Sequence, residues 1–201
     1  MRLDKFLCKS TQLTQQEALV KIETQCVMVN DCLIQDPSAQ VHENNKVELN
    51  GQVIKLRAFR YLLMHKPAGT ICSNVDEKYP SLFNAIDINN KSELHIAGRL
   101  DVDTTGLVLI TDDGRFTFEI TRPDKVCTKT YRVGLSYEIL DEQTHSLIQT
   151  FKTGIALQGE SQLTKPAKLE VLNKKEVLLT ITEGKFHQVK RMFAAVKNRV
   201  K

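Results

Sequence analysis

The residues densest in chemistry form Ala97-Gly98-Arg99-Leu100-Asp101-Val102-Asp103-Thr104-Thr105-Gly106. An arginine, two carboxylates and two threonines sit between glycines, directly before the apolar run Leu107-Val108-Leu109-Ile110. Small polar residues at the mouth of a strand form a loop, and a loop held by a rigid scaffold is where catalytic groups tend to sit. Asp101 and Asp103 suit a nucleophile and its support, or an acid and base pair. The same pattern suits a turn whose carboxylates only cap backbone N–H groups. A second segment is Glu183-Gly184-Lys185-Phe186-His187-Gln188-Val189-Lys190-Arg191-Met192. A strand ends there, Gly184 permits a turn, and a helix opens with a basic face. That face can hold phosphates, supply the cation that keeps a buried aspartate ionised, or simply stay in water. The third is Lys129-Thr130-Tyr131, where an aromatic at the start of a strand can stack on a base; a single tyrosine equally suits core or rim.

These segments need elements to position them. Leu3, Phe6 and Leu7 share a helical face, and Thr14 with Glu17 forms a capping box before a second helix faced by Ala18, Leu19 and Ile22. Residues 26–30 read as a strand. Val47-Glu48-Leu49 and Gln52-Val53-Ile54 flank Asn50-Gly51, a hairpin signal because both turn residues tolerate positive φ. This predicts a compact module over residues 1–58. Residues 59–201 read as a longer region mixing helices and strands. Tyr61 to His65 is a strand ending in the turn Lys66-Pro67-Ala68-Gly69, and the run 107–110 predicts a strand buried on both faces. Tyr131 to Leu135 is another strand, and Leu169 to Leu172 pairs with Val177 to Ile181 as a hairpin. His187 to Val196 is a helix with Val189, Met192, Phe193 and Val196 on its apolar stripe.

The chain has 201 residues, 41% apolar and 26% charged, which is a globular composition. It has no apolar run of roughly 18 residues, so no membrane-spanning helix is expected, and its N-terminus lacks the apolar stretch of a signal peptide. The expected compartment is the cytoplasm. Five dispersed cysteines, with no C-x-x-C pair, predict reduced thiols, and zinc-ligand spacing is absent. The net charge is +4. Residues 1–58 are electrically balanced, while Lys185 to Lys201 carries six basic residues and no acid. Clustered cations of this kind suit a polyanion such as RNA, or a solvated tail.

Taken in order, Lys66-Pro67-x-Gly69, Gly98-Arg99-Leu100-Asp101-x-x-Thr104-x-Gly106-Leu107, Lys129-Thr130-Tyr131 and Glu183-Gly184-x-x-His187-Gln188-Val189-Lys190-Arg191-Met192 resemble the RsuA-type pseudouridine synthases. The start, Met1-Arg2-Leu3-Asp4-Lys5-Phe6, resembles that family's S-four type RNA-binding domain. The stretches from Asp103 to Gly114 and from Leu163 to Ala167 resemble the branch acting on uridine 516 of 16S rRNA; the alternative within the family is a synthase for a large-subunit rRNA site. The implied fold is α+β, a small N-terminal RNA-binding module plus a catalytic domain with a mostly antiparallel mixed sheet. The implied reaction cuts the glycosidic bond, rotates the uracil and joins C5 to the sugar. No metal, nucleotide or redox cofactor is implied. The implied partner is 16S rRNA or a partly assembled small ribosomal subunit, without a membrane, and a monomer suffices.

By that resemblance Asp101 is the nucleophile, with Tyr131 and Lys190 as its catalytic companions. Asp103 lies outside the shared motif and reads as loop structure. Arg99, Ile181, His187, Gln188, Arg191 and Lys66 would bind substrate: Ile181 as the floor under the uracil, Arg99 in the gap left by the flipped nucleotide. In the first module, Arg2, Lys5 and Lys9 fall on one side of the first helix and would face phosphates. The family pattern runs on past the last helix into a further strand, so the catalytic domain reads as truncated at its C-terminal end, with a sheet edge exposed. Two other readings compete. One is a non-catalytic RNA-binding or ribosome-assembly protein, the other a glycoside hydrolase using Asp101 and Asp103. The second is disfavoured because residues two apart in an extended loop point to opposite sides.

Overall fold

A computed structural model describes residues 1–42, 44–88 and 91–201, with the Pro123 side chain left undescribed. The chain divides into two compact units, Met1–Phe59 and Arg60–Lys201.

The first unit opens with helices α1 (Leu3–Ser10) and α2 (Gln15–Glu23). The Thr14 hydroxyl accepts from the Glu17 N–H while the Glu17 carboxylate accepts from the Thr14 N–H, completing the expected capping box. Strands β1 (Val27–Val29), β2 (Cys32–Leu33), β3 (Val47–Leu49) and β4 (Gln52–Ile54) form one antiparallel sheet in the order β2-β1-β3-β4. Asn50 and Gly51 both have positive φ, as the tight β3–β4 turn requires. Leu3, Phe6, Leu7, Ala18, Ile22, Val27 and Val47 meet in this unit's core.

The second unit contains β5 (Tyr61–Lys66), β6 (His95–Ala97), β7 (Gly106–Thr111), α3 (Gly114–Thr121), β8 (Lys129–Gly134), α4 (Asp141–Thr153), β9 (Lys168–Asn173), β10 (Glu176–Ile181) and α5 (Gln188–Ala195). Its strands make two three-stranded sheets, β5-β7-β6 and β8-β10-β9. Every ladder between these strands is antiparallel, and the parallel pairing among the described residues is the isolated bridge of Ile71 with Ser81. The expected mixed sheet is thus two antiparallel sheets joined through loops. One core gathers Val133, Leu169, Val177, Leu179 and Ile181 under Phe151 of α4 and Met192 and Phe193 of α5. The other gathers Val108 and Ile110 of β7 with Leu82, Phe83 and Leu94.

β7 departs from expectation. Val108 and Ile110 are buried, but Leu107 is 66% exposed, and Leu63 on the neighbouring strand is 72% exposed. Leu63 pairs with Leu109 and His65 with Leu107, so these side chains share one open face. A continuous apolar run says nothing of which face is covered; in an antiparallel sheet, alternation of neighbours decides it. Asp113 caps α3 by accepting from the N–H groups of Arg115 and Phe116. At the end of the chain, Val200 bridges Leu135, and the Lys201 N–H donates to the Gly134 carbonyl at 2.9 Å beside β8, an edge strand of its sheet.

Candidate active site

The 98–106 loop connects β6 to β7 and is pinned at several points. The Thr104 N–H donates to the Asp101 carbonyl at 3.1 Å, closing a turn. The Gly69 N–H donates to the Val102 carbonyl at 2.8 Å, and Gly69 has a φ of +81°. That left-handed conformation, strained for other residues, aims the N–H at the loop. The Leu100 side chain packs against the β7 core, and its N–H meets the Cys72 sulfur at 3.4 Å.

Lys66 supplies the strongest clamp. It is fully buried at the end of β5. Its ammonium donates to the carbonyls of Thr104 at 2.9 Å, Pro67 at 3.1 Å and Val102 at 3.3 Å. Three N–H groups meet three acceptors, which satisfies a protonated amine. Burial pushes the Lys66 pKa down, against the attraction of Cys72, Asp103 and Asp101. Lys66, expected as a substrate-binding residue, is spent on three carbonyls and shut off from solvent, a placement that holds the loop.

On that loop, Asp101 faces two nitrogen side chains from the 183–192 segment. Lys190 Nζ lies 3.7 Å from Asp101 Oδ2, and His187 Nε2 lies 3.7 Å from Asp101 Oδ1. Lys190 stands closer still to Asp103, at 2.7 Å from both carboxylate oxygens. That hydrogen bond holds the Asp103 carboxyl below its usual pKa. The two carboxylates therefore converge on one ammonium. The two side chains do not point apart as residues two apart in an extended loop would, because 101–104 is a turn, where that alternation does not apply.

Tyr131 lies half-buried on β8. Burial pushes its phenol pKa up, and the negative charge of Asp101 adds to the shift, which places the ring within electrostatic reach of that carboxylate. Ile181 ends β10 inside the core, paired with Lys129. Arg99 is exposed.

Arg191 and Gln188 hold the 183–187 segment together. Gln188, buried at the start of α5, accepts from the Lys185 N–H at 2.8 Å and donates to the Glu183 carboxylate at 2.9 Å. Arg191 donates to the Glu160 carboxylate at 3.1 Å, to the Phe186 carbonyl at 3.1 Å and to the Gln158 carbonyl at 2.7 Å. Lys185 completes the latch on Glu160 at 2.8 Å. Gln188 and Arg191, expected as substrate-binding residues, here give polar atoms to this loop. Glu160 was missed in the sequence: it stands far from the motif, and no local spacing ties it to Lys185 and Arg191.

In the first unit, Arg2 pairs with the buried Asp4 at 2.8 Å, Lys9 stands 4.0 Å over the Phe59 ring, and Lys5 is exposed. Among the described residues, no cluster of His, Cys, Asp and Glu could hold a metal ion, and no helix is long and apolar enough to cross a membrane.

Residues 60–195 match the RNA pseudouridylate synthase family. Over its whole length the chain is 47% identical to the ribosomal small subunit pseudouridine synthase A of Vibrio cholerae, covering 85% of that protein. It is 41% identical to the protein of the same name from Haemophilus influenzae, again covering 85% of it. A crystal structure described as a pseudouridylate synthase shares 40% identity and superposes with a TM-score of 0.66, matching 100% of this chain and 85% of that one. A family match spanning the Asp101 loop and α5, with relatives this similar along the full chain, means that this protein belongs to the RNA pseudouridylate synthase family, in its RsuA-type branch.

Proposed function

We propose that this chain isomerises uridine 516 of 16S rRNA to pseudouridine in the cytoplasm, with Asp101 as nucleophile. The observation that carries the reading is the convergence of His187 and Lys190 on the Asp101 carboxylate, on a loop clamped by Lys66. Two relatives named for the small ribosomal subunit support the choice of RNA.

The chemistry needs an ionised carboxylate in a site that dries when RNA closes over it. Lys190 sets its ammonium 3.7 Å from the Asp101 carboxylate, a position from which it attracts that carboxylate. Asp101 then attacks the anomeric carbon or stabilises positive charge developing on the sugar as the C1′–N1 bond breaks. The uracil turns, C1′ bonds to C5 as any bond from C1′ to Asp101 breaks, the C5 hydrogen leaves as a proton to water, and N1 takes up a proton in exchange. Tyr131, whose phenol pKa burial pushes up, stacks on the target base and helps move its proton. Ile181 forms apolar support below the pocket, and exposed Arg99 enters the stack where the uridine has left. Flipping the nucleotide costs a few kcal/mol, offset by stacking and backbone contacts. The first unit serves as an S-four type RNA-binding domain, with Lys5 and its neighbours Arg2 and Lys9 toward phosphates.

The test is to incubate the chain with 16S rRNA, alone and as partly assembled subunit, and map pseudouridine by carbodiimide modification and primer extension. A new stop at uridine 516 with either substrate is the expected result. Pseudouridine elsewhere, or only in large-subunit RNA, would overturn the assignment of the site.

A further inference from the structure

Phe186 is 75% exposed, more than any other large apolar side chain among the described residues. A single exposed ring is ordinarily unremarkable. Here, however, the backbone that carries it is fixed. The Phe186 carbonyl accepts from Arg191, the preceding N–H donates to Gln188, and the preceding ammonium is latched to Glu160. The following residue, His187, has a φ of +47°, so the segment is locked in a left-handed kink at the start of α5. The phenyl ring stacks on the His187 imidazole with centroids 3.8 Å apart and planes 19° apart. His187 in turn lies 3.7 Å from Asp101. The order from solvent inward is phenyl, imidazole, nucleophile.

We propose that Phe186 is a stacking platform for an RNA base flanking the target uridine, held in place by its own stack on His187. The inference rests on the reading that this site acts on RNA. One face of the ring is taken by the imidazole, so the other is open to a planar partner. An uncharged π face suits a nucleobase and offers a phosphate nothing. The nearby cations Lys185 and Arg191 are already committed to Glu160, so they do not turn the ring's surroundings into a phosphate site. Fixing the ring before RNA arrives removes the ordering cost that a mobile side chain would bear.

The chain has no tryptophan, so Phe186→Trp introduces a single tryptophan at the platform, excited selectively over the four tyrosines at the red edge of its absorption. It is titrated with a 16S rRNA fragment carrying the target, and binding is followed in parallel by filter retention. The expected result is strong quenching that tracks binding. It is relieved when one particular nucleotide beside the uridine is made abasic. Alongside, Phe186→Leu keeps the apolar bulk and removes the π face. Loss of one base stack predicts roughly 5- to 150-fold weaker RNA binding, falling on KM rather than kcat. An unquenched tryptophan on a retained complex overturns the proposal, as does a leucine variant that binds like wild type. Quenching without pseudouridine formation by the wild-type chain would leave the platform standing and overturn the proposed activity. Pseudouridine formation with no quenching does the reverse, and a chain that binds no RNA overturns both.

Discussion

Replacing Lys66 by methionine keeps the length of the side chain and removes its charge and three donors. The carbonyls of Pro67, Val102 and Thr104 then lose this donor, but Val102 keeps the Gly69 N–H and Pro67 keeps the Thr70 hydroxyl, so the Thr104 carbonyl is the acceptor left unsatisfied. Leaving one buried acceptor unsatisfied costs about 1–3 kcal/mol. Relief from burying an ammonium offsets part of this. The net expectation is about 1–2 kcal/mol of lost stability, or roughly 2–8 °C in the Tm of the second unit. The larger effect falls on catalysis, because two of the three carbonyls belong to the turn that carries Asp101. A displacement of about 1 Å at such a site costs on the order of 100-fold in rate. Kinetics by tritium release and thermal unfolding by circular dichroism read the two effects separately. The reasoning is refuted if Lys66→Met keeps wild-type kcat and Tm, or loses RNA affinity while keeping kcat. The second pattern would put the ammonium on a phosphate, with the clamp opening on binding.

Lys190→Met should lower kcat by about 100- to 1,000-fold, as for loss of a preorganised electrostatic partner, with RNA affinity within about threefold in a filter-binding assay. Lys190 holds Asp103 below its ordinary carboxyl value, so the stability this pair contributes is in place above that value and is lost as pH falls through the lowered one. Urea unfolding should show wild type more stable than Asp103→Asn at neutral pH, with the two converging as pH drops below about 4. Burial raises the Tyr131 phenol, so it stays protonated past its ordinary value, and the pH–rate profile should show no Tyr131-dependent fall below about pH 10. Tyr131→Phe keeps the ring and should cost about tenfold in kcat, while Tyr131→Ala, which also loses the stack, should cost more than tenfold beyond that.

Much of the local structure was legible because it is written in short-range chemistry. The Thr14–Glu17 capping box, the Asn50-Gly51 turn and the stripe of Met192 and Phe193 on α5 each need only neighbouring residues. Helix α4 was not legible: Leu140 at its start offers no capping side chain, and Phe151 is its one buried residue. The faces of β7 were misjudged because partners elsewhere in the fold decide which leucine is covered. The same limit applied to the site. Motif spacing brought Asp101, His187 and Lys190 into view together, but gave no hint that Lys66 is buried under the loop or that Glu160 ties down Lys185 and Arg191. Those roles depend on contacts across 25 or more residues. A basic residue in a motif therefore reads the same whether it meets a phosphate or a backbone carbonyl.

The central claim is that the carboxylate of Asp101 performs the isomerisation. The direct measurement is tritium release from 16S rRNA labelled at C5 of uracil, with wild type and Asp101→Asn run side by side on the same RNA. Asparagine has the same shape and cannot act as an ionised nucleophile. The account predicts release by the wild type and none above background from a variant that still binds the RNA. Comparable release from Asp101→Asn would contradict it and place the chemistry on another residue.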